Sequence, residues 1–430
     1  MSSSNIFSIA IVGLGTVGTA TIQLLENQLT NINNKSGKKI IIKAISAKNK
    51  TKPRNIDLSR YDWEDSPVML TKRKDIDAIV ELIGGSDGLA KELAYQAVEN
   101  NKHFITANKA LIAKCGYDLN RKVSNKDIGI YYEAAVAGAI PVINSIKDGL
   151  VSNNILSIHA ILNGTCNYIL SDMTNNSKSF EESLLKAKEL GFAEADPTFD
   201  IEGIDSAHKL VILGLLAYGA EPDIDKVYIE GITSITAEDI KYANRLGYKI
   251  KLLCIASLEN NKLDFRVHPA LCLSDSISAG IGGALNAIFL EGDYSKKITF
   301  IGEGAGAEPT ASSVVSDIIN AAKNHKLLNN LNTVNNKRGY KDIMSRKGKY
   351  YVRFIVKDKA GVLASITSVL NENNISLDSV IQEGNKGEET KYIIILTHDS
   401  DELNIINAIN KIDNLDTIIS KPYLIRVENI

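Results

Sequence analysis

The sequence predicts an α/β protein in three successive regions, and three observations carry that reading. Between Ile6 and Ala107 short apolar runs alternate with helical patterns, as in a parallel sheet with helices on its faces. From Glu133 to about Gly304 helices and strands mix without that alternation, as in an α+β region. After a polar stretch the pattern restarts as strand, helix, strand, strand, helix, strand, the βαββαβ order of a small ferredoxin-like module.

Taken in order, Ile6 to Val12 reads as a buried strand, Thr16 to Leu25 as a helix and Ile40 to Ser46 as a second strand. A basic polar loop, Lys48 to Arg54, follows. Ala78 to Leu82 is a strand, Leu89 to Asn100 a helix and His103 to Ala107 a further strand. The middle region contributes a strand at Ser157 to Leu162 and strong helices at Phe180 to Leu190 and Gly203 to Tyr218. Pro309 and Thr310 are start signals for a helix over Ala307 to Ala322. The stretch His325 to Gly348, rich in Asn, Lys and Arg, reads as a linker. Beyond it come strand Tyr350–Val356, helix Val362–Asn373, strands Ser376–Gln382 and Lys391–Thr397, helix Asp401–Lys411 and strand Ile418–Val427. The expected division is residues 1–132, completed by about 305–325, then 133–304, a linker over 326–348, and 349–430.

Bulk composition bounds the function. A chain of 430 residues has room for two to three domains, and 44% hydrophobic with 23% charged residues is ordinary for a globular protein. A net charge of -2 gives no reason to expect nucleic acid or an anionic membrane as partner. Cys115, Cys166, Cys254 and Cys272 form no short-spaced pair, which suits a reducing, cytoplasmic setting. No apolar run reaches the roughly 18–20 residues of a membrane span. The segment before Ile6 carries no export signal, and no fused kinase is expected. The 6 histidines are scattered without metal-ligand spacing, so a catalytic zinc is not expected.

The turn after the first strand reads IAIVGLGTVG. Gly13 permits a tight turn, Gly15 lets the backbone approach a pyrophosphate, and Gly18 lets the helix pack on the strand. The pyrophosphate would sit at the positive helix N-terminus, with Thr16 and Val17 in the same site. A glycine turn can also be purely structural, but here it follows a strand and opens a helix, as a Rossmann-type dinucleotide site requires. At the end of the second strand, ISAKNKTKPR holds no carboxylate before Asp57. Lys48, Lys50, Lys52 and Arg54 would suit a ribose 2′-phosphate, which favours NADP(H) over NAD(H). A solvated basic turn is the alternative.

The second chemical signal is GFAEADPTFDIEGIDSAHK, Gly191 to Lys209. Its carboxylates Glu194, Asp196, Asp200, Glu202 and Asp205 are natural partners for an ammonium group. Asp205 and Lys209 stand at i and i+4 on one helix face. Such a lysine can be held protonated and donate to a carbonyl oxygen as hydride arrives at carbon. Taken alone, the pair also reads as a surface ion pair.

Five separated strings then point to one family. ELIGG from Glu81, HFITANKALIA from His103, YEAAVAGAIP from Tyr132, LNGTCNYIL from Leu162 and the acidic-lysine segment together resemble the homoserine dehydrogenases, over most of residues 6–325. That resemblance implies reduction of L-aspartate 4-semialdehyde to L-homoserine with NAD(P)H, in threonine and methionine biosynthesis. It implies Lys209 as proton donor, Asp205 as its partner and Lys109 as a second active-site lysine between nicotinamide and substrate. Glu194 and Asp200 would bind substrate, with Gly164 and Thr165 lining the pocket. Ser86 would touch the nicotinamide ribose, and Gly306, in FIGEGAGAEPTASSVVSDI, the nicotinamide end. His208 points about 100° away from Lys209 on a helix and is expected to be packed or solvated. Phe192 departs from the tyrosine often found there. The resemblance further implies a monovalent cation, sodium, held largely by backbone carbonyls at Glu133, Val136, Gly138 and Ile140.

Residues 350–430 resemble an ACT domain through KDKAGVLASI, Lys357 to Ile366, and NNIS, Asn373 to Ser376. This implies either dimerisation alone or an amino-acid effector, threonine, held near Gly361, Asn374 and Ile375, with a homodimer or homotetramer as the assembly. Two other readings stay open on the residues: a related Rossmann oxidoreductase of another amino-acid semialdehyde, and a non-catalytic amino-acid sensor. Lys109, Glu194, Asp205 and Lys209 together argue against the sensor.

Overall fold

The computed structural model describes residues 5–219, 223–323, 338–383 and 389–430. The first sheet is six-stranded and parallel, in the spatial order Asp62–Trp63, Lys39–Ser46, Ile6–Val12, Ala78–Glu81, His103–Thr106, Ile130–Tyr131. This is the doubly wound order of dinucleotide-binding sheets, with the first strand at the point where the order reverses. Its strands are buried on both faces, which is why Ile9, Ala10, Ile11 and Val12 form a continuous apolar run rather than an alternating one.

The helix Ala307–Ala322 returns to this sheet from far along the chain. Val314, Val315 and Ile318 join the core of Phe7, Ile9, Ile22 and Leu25, and the helix packs beside Thr16–Asn27. A helix over Leu29–Ser36, ended by Gly37 in the left-handed conformation, and a long helix over Lys109–Val123 add to the elements expected from the pattern.

The second sheet has eleven strands among the described residues. Its main path runs Lys296–Glu303, Leu285–Gly292, Ile155–Ile161, Tyr248–Glu259, Lys262–Leu273, then Ile418–Val427, Tyr350–Lys357, Thr390–Thr397 and Leu377–Glu383. Helices Gly164–Asn176 and Ile204–Tyr218 cover one face of the long strand Tyr248–Glu259. The last four strands, with helices Val362–Glu372 and Glu402–Asp413, make the expected βαββαβ module.

That module is fused to the middle region rather than tethered to it. Ala270 and Leu271 pair in parallel with Arg426 and Val427, so one sheet crosses the boundary. The described part of the linker expected over 326–348 makes contacts of its own. Gly339–Tyr340 pairs with Lys262–Leu263, Lys347–Gly348 pairs with Ser400–Asp401, and Arg346 is buried against Glu428. The Asn- and Lys-rich composition hid these pairings because they use backbone, not apolar side chains. The remainder of the expected linker, residues 326–337, lies outside the described residues. No helix among the described residues is long and apolar enough to cross a membrane.

A buried ionic network locks the fused boundary. Arg426 donates from Nε to Glu402 at 2.9 Å, from Nη1 to Glu230 at 2.8 Å and from Nη2 to the Tyr228 hydroxyl at 2.9 Å. Arg353 pairs with Asp239 at 3.0 Å, and the Tyr351 hydroxyl donates to the same carboxylate at 3.0 Å. Replacing Arg426 by leucine leaves the fully buried Glu402 only the more distant Arg346, 3.9 Å away, and is expected to destabilise the chain by about 3 kcal/mol. The urea unfolding midpoint reads this; a midpoint equal to that of the parent would show that the network adds no stability.

Candidate active site

The three glycines of the first turn act by three different means. Gly13 has φ of +101°, and a Cβ there would lie 2.5 Å from the Leu82 carbonyl oxygen. At Gly18 a Cβ would fall 1.9 Å from the Gly13 oxygen, so the helix Thr16–Asn27 can rest on the turn only without a side chain. At Gly15 a Cβ would meet no atom of the described residues within 4 Å. That open space, at the first turn of the helix, is where an anionic pyrophosphate fits.

The glycine turn opens into a groove of about 1190 Å³ that extends past Lys48, Asn49, Lys52 and Trp63. Its basic residues are not equivalent. Arg54 donates Nε to the Leu14 oxygen at 3.1 Å, Nη1 to the Lys52 oxygen at 2.8 Å and Nη2 to the Asn49 oxygen at 2.7 Å. Its guanidinium therefore fastens the basic loop to the glycine turn, leaving the exposed Lys48 and Lys52 at the rim. Lys50 lies 5.4 Å over the Trp63 ring.

On the other side of the turn, Glu81 is fully buried at the end of its strand. Its carboxylate accepts from the amides of Ile83 and Gly84 at 2.7 and 3.0 Å and from the Thr106 hydroxyl at 2.6 Å. Asn108 then accepts from the Leu111 amide, capping helix Lys109–Val123, and donates to the Gly85 oxygen at 2.6 Å. These contacts tie the Ile83–Ser86 loop to the start of the Lys109 helix. Ser86 in turn donates to Asp87 at 2.9 Å.

Lys109 reaches from that helix start to Asp205, and Lys209 approaches the same carboxylate at 2.8 Å. Asp205 is 1% exposed. Burial alone would raise its carboxyl, but the two ammonium groups outweigh burial and hold it well below the usual carboxylate range. The i,i+4 pair is therefore a buried ionic centre, not a surface pair. Lys209 also donates to the Leu162 oxygen at 2.7 Å, which in turn accepts from Asn286 at 3.1 Å.

Asn163 had no place among the residues expected from sequence, and it organises the acidic side. Its Oδ1 accepts from the Cys166 amide, capping helix Gly164–Asn176. Its Nδ2 donates both to Asp200 at 2.8 Å and to Asp205 at 2.9 Å. An asparagine just before a helix over apolar residues was the available signal. Burial pushes the Asp200 carboxyl up, the Asn163 hydrogen bond opposes this, and neighbouring Asp205 adds to the rise. Thr165 donates to the Phe192 oxygen at 2.5 Å and lies 3.4 Å from Asp200, while Gly164 backs onto the Ala284 oxygen.

Other expected residues stand further out. Glu194 is exposed on the turn before Asp196, and Asp196 caps its own turn at Thr198. His208 lies edge-on to Phe199 at 5.4 Å, and burial lowers its basicity, so it is packed. The Phe199 ring also lies 5.7 Å beneath Lys109. The Phe192 ring is tilted on Tyr168 at 4.9 Å.

In the stretch from Glu133 to Ile140, the carbonyls of Glu133, Gly138 and Ile140 accept from the Val136 amide, the Ser313 hydroxyl and the Val142 amide. Each keeps a second lone pair. The Glu133 side chain turns inward to the amides of Ile143 and Asn144, and burial pushes its carboxyl up to about 7. Gly306 stands at the head of helix Ala307–Ala322. In the C-terminal module Gly361 and Asn374 are exposed, at the start and just past the end of helix Val362–Glu372, and Ile375, next to Asn374, is buried.

Comparison with known proteins gives concordant results. The model of the family "Homoserine dehydrogenase" matches residues 141–319, that of "Homoserine dehydrogenase, NAD binding domain" residues 13–133, and that of "ACT domain" residues 350–416. A homoserine dehydrogenase of Neisseria gonorrhoeae is 38% identical over 98% of this chain and 99% of its own. The crystal structure of one from Thiobacillus denitrificans superposes with a TM-score of 0.91 at 38% identity, covering 99% of this chain and 98% of that one. A hyperthermophilic archaeal homoserine dehydrogenase, solved in complex with NADPH, is 26% identical with a TM-score of 0.61 over 74% of this chain and 97% of its own.

The glycine geometry separates folding from binding. Gly18→Ala is expected to lower thermal stability, since its Cβ has no room. Gly15→Ala is expected to leave stability unchanged and to weaken dinucleotide binding by about tenfold or more, through lost backbone approach. Thermal melts and fluorescence titration with NADPH distinguish the two; equal binding by Gly15→Ala would place the pyrophosphate elsewhere.

Proposed function

Because the chain belongs to the homoserine dehydrogenase family, we propose that Asp205 and its two lysines are the centre at which it interconverts L-aspartate 4-semialdehyde and L-homoserine. The enzyme is an NAD(P)-dependent oxidoreductase acting on the substrate CH–OH group. The observation that carries the site assignment is the buried Asp205 carboxylate, shared by Lys109 of the nucleotide-binding region and Lys209 of the middle region.

When bound, the nicotinamide supplies the hydride. Lys209 carries the proton. Two of its three N–H groups are committed to Asp205 and to the Leu162 oxygen, and the third is left for the carbonyl oxygen of the substrate. Two ammonium groups against one carboxylate leave a positive field where negative charge gathers on that oxygen. Asp200 and Glu194 take the substrate ammonium, and Gly164 with Thr165 forms the adjoining wall. An incoming ammonium favours the ionised form of Asp200, offsetting the burial that raises its carboxyl.

The cofactor we assign is NADP(H), with NAD(H) as the weaker alternative. Lys48 at the rim of the groove supports the 2′-phosphate, and the archaeal relative was solved with NADPH. Gly13, Gly15, Thr16, Val17 and Gly18 hold the pyrophosphate, and Ser86, Lys109 and Gly306 face the nicotinamide end. A sodium ion is assigned to the carbonyls of Glu133, Val136, Gly138 and Ile140, on their remaining lone pairs. Threonine is the proposed effector, at Gly361, Asn374 and Ile375. A homodimer or homotetramer is proposed from the outermost strand Lys296–Glu303, which pairs on one side and leaves Ile301 half exposed. The four cysteines, all free and buried, support a cytoplasmic setting.

Lys209→Ala is expected to lower kcat for homoserine oxidation by about 10²–10⁴-fold, with KM for NADP little changed. Steady-state assays with NADP and with NAD measure both, and full activity in this variant would move the proton donor to another group. For the effector, threonine is expected to inhibit the full chain, and Asn374→Gly to relieve that inhibition. Asn374 has φ of +57°, so glycine removes its side chain without backbone strain. Equal inhibition of parent and variant would exclude Asn374 from the effector site.

A further inference from the structure

One path of contacts leads from the C-terminal module to the turn that carries Asp200. The short strand Tyr228–Ile229 runs parallel to Arg266–Val267, and the Glu230 amide donates to the Val267 oxygen at 2.8 Å. The chain then passes directly beneath the turn that carries Asp200. The Ile232 amide donates to the Ile201 oxygen at 2.8 Å. Between them, Gly231 is so close that a Cβ would lie 2.3 Å from the Ile201 oxygen and 2.6 Å from the Glu202 Cα. Backbone thus rests on backbone one residue from Asp200, with the Glu202 carboxylate beside the contact, 3.0 Å from the same Cβ position.

The other side of the joint belongs to the module. Arg426 donates to Glu230 Oε2 at 2.8 Å and the Tyr423 hydroxyl lies 3.2 Å from Glu230 Oε1. The Tyr228 hydroxyl donates to Oε2 at 2.9 Å. Arg426 is itself immobilised by Glu402, which is fully buried at the start of helix Glu402–Asp413. Glu230 is therefore fixed to the frame of the module, while its neighbour Gly231 is fixed to the substrate turn.

We propose that Glu230 is a positioning residue for Asp200: gripped by Tyr423 and Arg426, it sets the height of the Thr198–Gly203 turn through the Gly231–Ile201 contact. The proposal rests on the assignment of Asp200 as a substrate ligand. It makes the C-terminal module part of the substrate site's scaffold, so that a displacement of strand Ile418–Val427 against strand Lys262–Leu273 moves the Asp200 carboxylate relative to Lys209. Two states of the module would then differ in affinity for homoserine before they differ in the chemical step.

The test uses the full chain and four variants: Glu230→Gln, Gly231→Ala, Tyr423→Phe and, as a control on the premise, Asp200→Asn. For each, KM for homoserine, KM for NADP, kcat and the melting temperature are measured. Asp200→Asn is expected to raise KM for homoserine by about tenfold or more. Glu230→Gln and Gly231→Ala are expected to raise it by about three- to tenfold, with kcat and KM for NADP within about twofold of the parent. Tyr423→Phe, which removes one hydroxyl, is expected to act in the same direction and less, and it decides the matter if Glu230→Gln does not fold. A lower melting temperature with an unchanged KM for homoserine in the Glu230 and Gly231 variants would show the joint to be structural only and overturn the proposal. An unchanged KM in Asp200→Asn would overturn the substrate assignment itself, and with it the proposal.

Discussion

The Asp205 carboxylate joins two lysines that arrive from different regions of the chain. Taking Asp205 and Lys209 out of water is costly, with the Lys109 side chain still 36% exposed, and it is tolerated only where the buried charges are paired and hydrogen-bonded. Lys209 also binds the Leu162 oxygen, and Asn163 adds an N–H to Asp205. Lys109 sits at a helix start fixed by Asn108, which also holds the loop after Glu81. The helices Lys109–Val123 and Ile204–Tyr218 pack on one another, so the carboxylate stands where the nucleotide-binding and middle regions meet. Hydride transfer needs its two reactants brought together from those two regions, and the ionic centre in which we propose Lys209 as the proton donor also joins the two regions.

The second constraint is the continuity of the large sheet. Once Ala270 and Leu271 pair with Arg426 and Val427, the C-terminal module cannot reorient freely about the middle region. Charged residues at the boundary become internal. Arg426, Glu402, Arg346 and Asp239 are all buried, and each finds its partner across or beside the boundary. A module attached in this way is confined to small shifts of a strand rather than swinging on a tether, and removing it would uncover Asp239 and Glu230 without their cations.

Much of the site was legible because its chemistry is local in sequence. The glycine turn lies within six residues, Gly13 to Gly18, and Asp205 and Lys209 are one helical turn apart, so periodicity alone puts them together. The contributions of Asn163, Glu81 and Asn108 were not legible. Each is a polar residue at an element end, of a kind that usually serves only its own helix or loop, and its second role depends on what lies opposite. Arg54 shows the converse. Counted among the basic residues of its loop it suggests a phosphate ligand, yet its five N–H groups are largely taken by backbone carbonyls.

The sequence by itself determined the fold class, the order of the elements, the dinucleotide turn and the Asp205–Lys209 pair, because these follow from hydrophobic period, glycine sterics and helical spacing. Only the tertiary structure decided that this pair is buried, that Lys109 completes it, and that Asn163 ties it to Asp200. It alone decided that residues 338–348 and the last strand knit the C-terminal module into the central sheet. Those facts depend on contacts between residues tens to hundreds of positions apart, formed by backbone groups and polar side chains that carry no apolar period to reveal them.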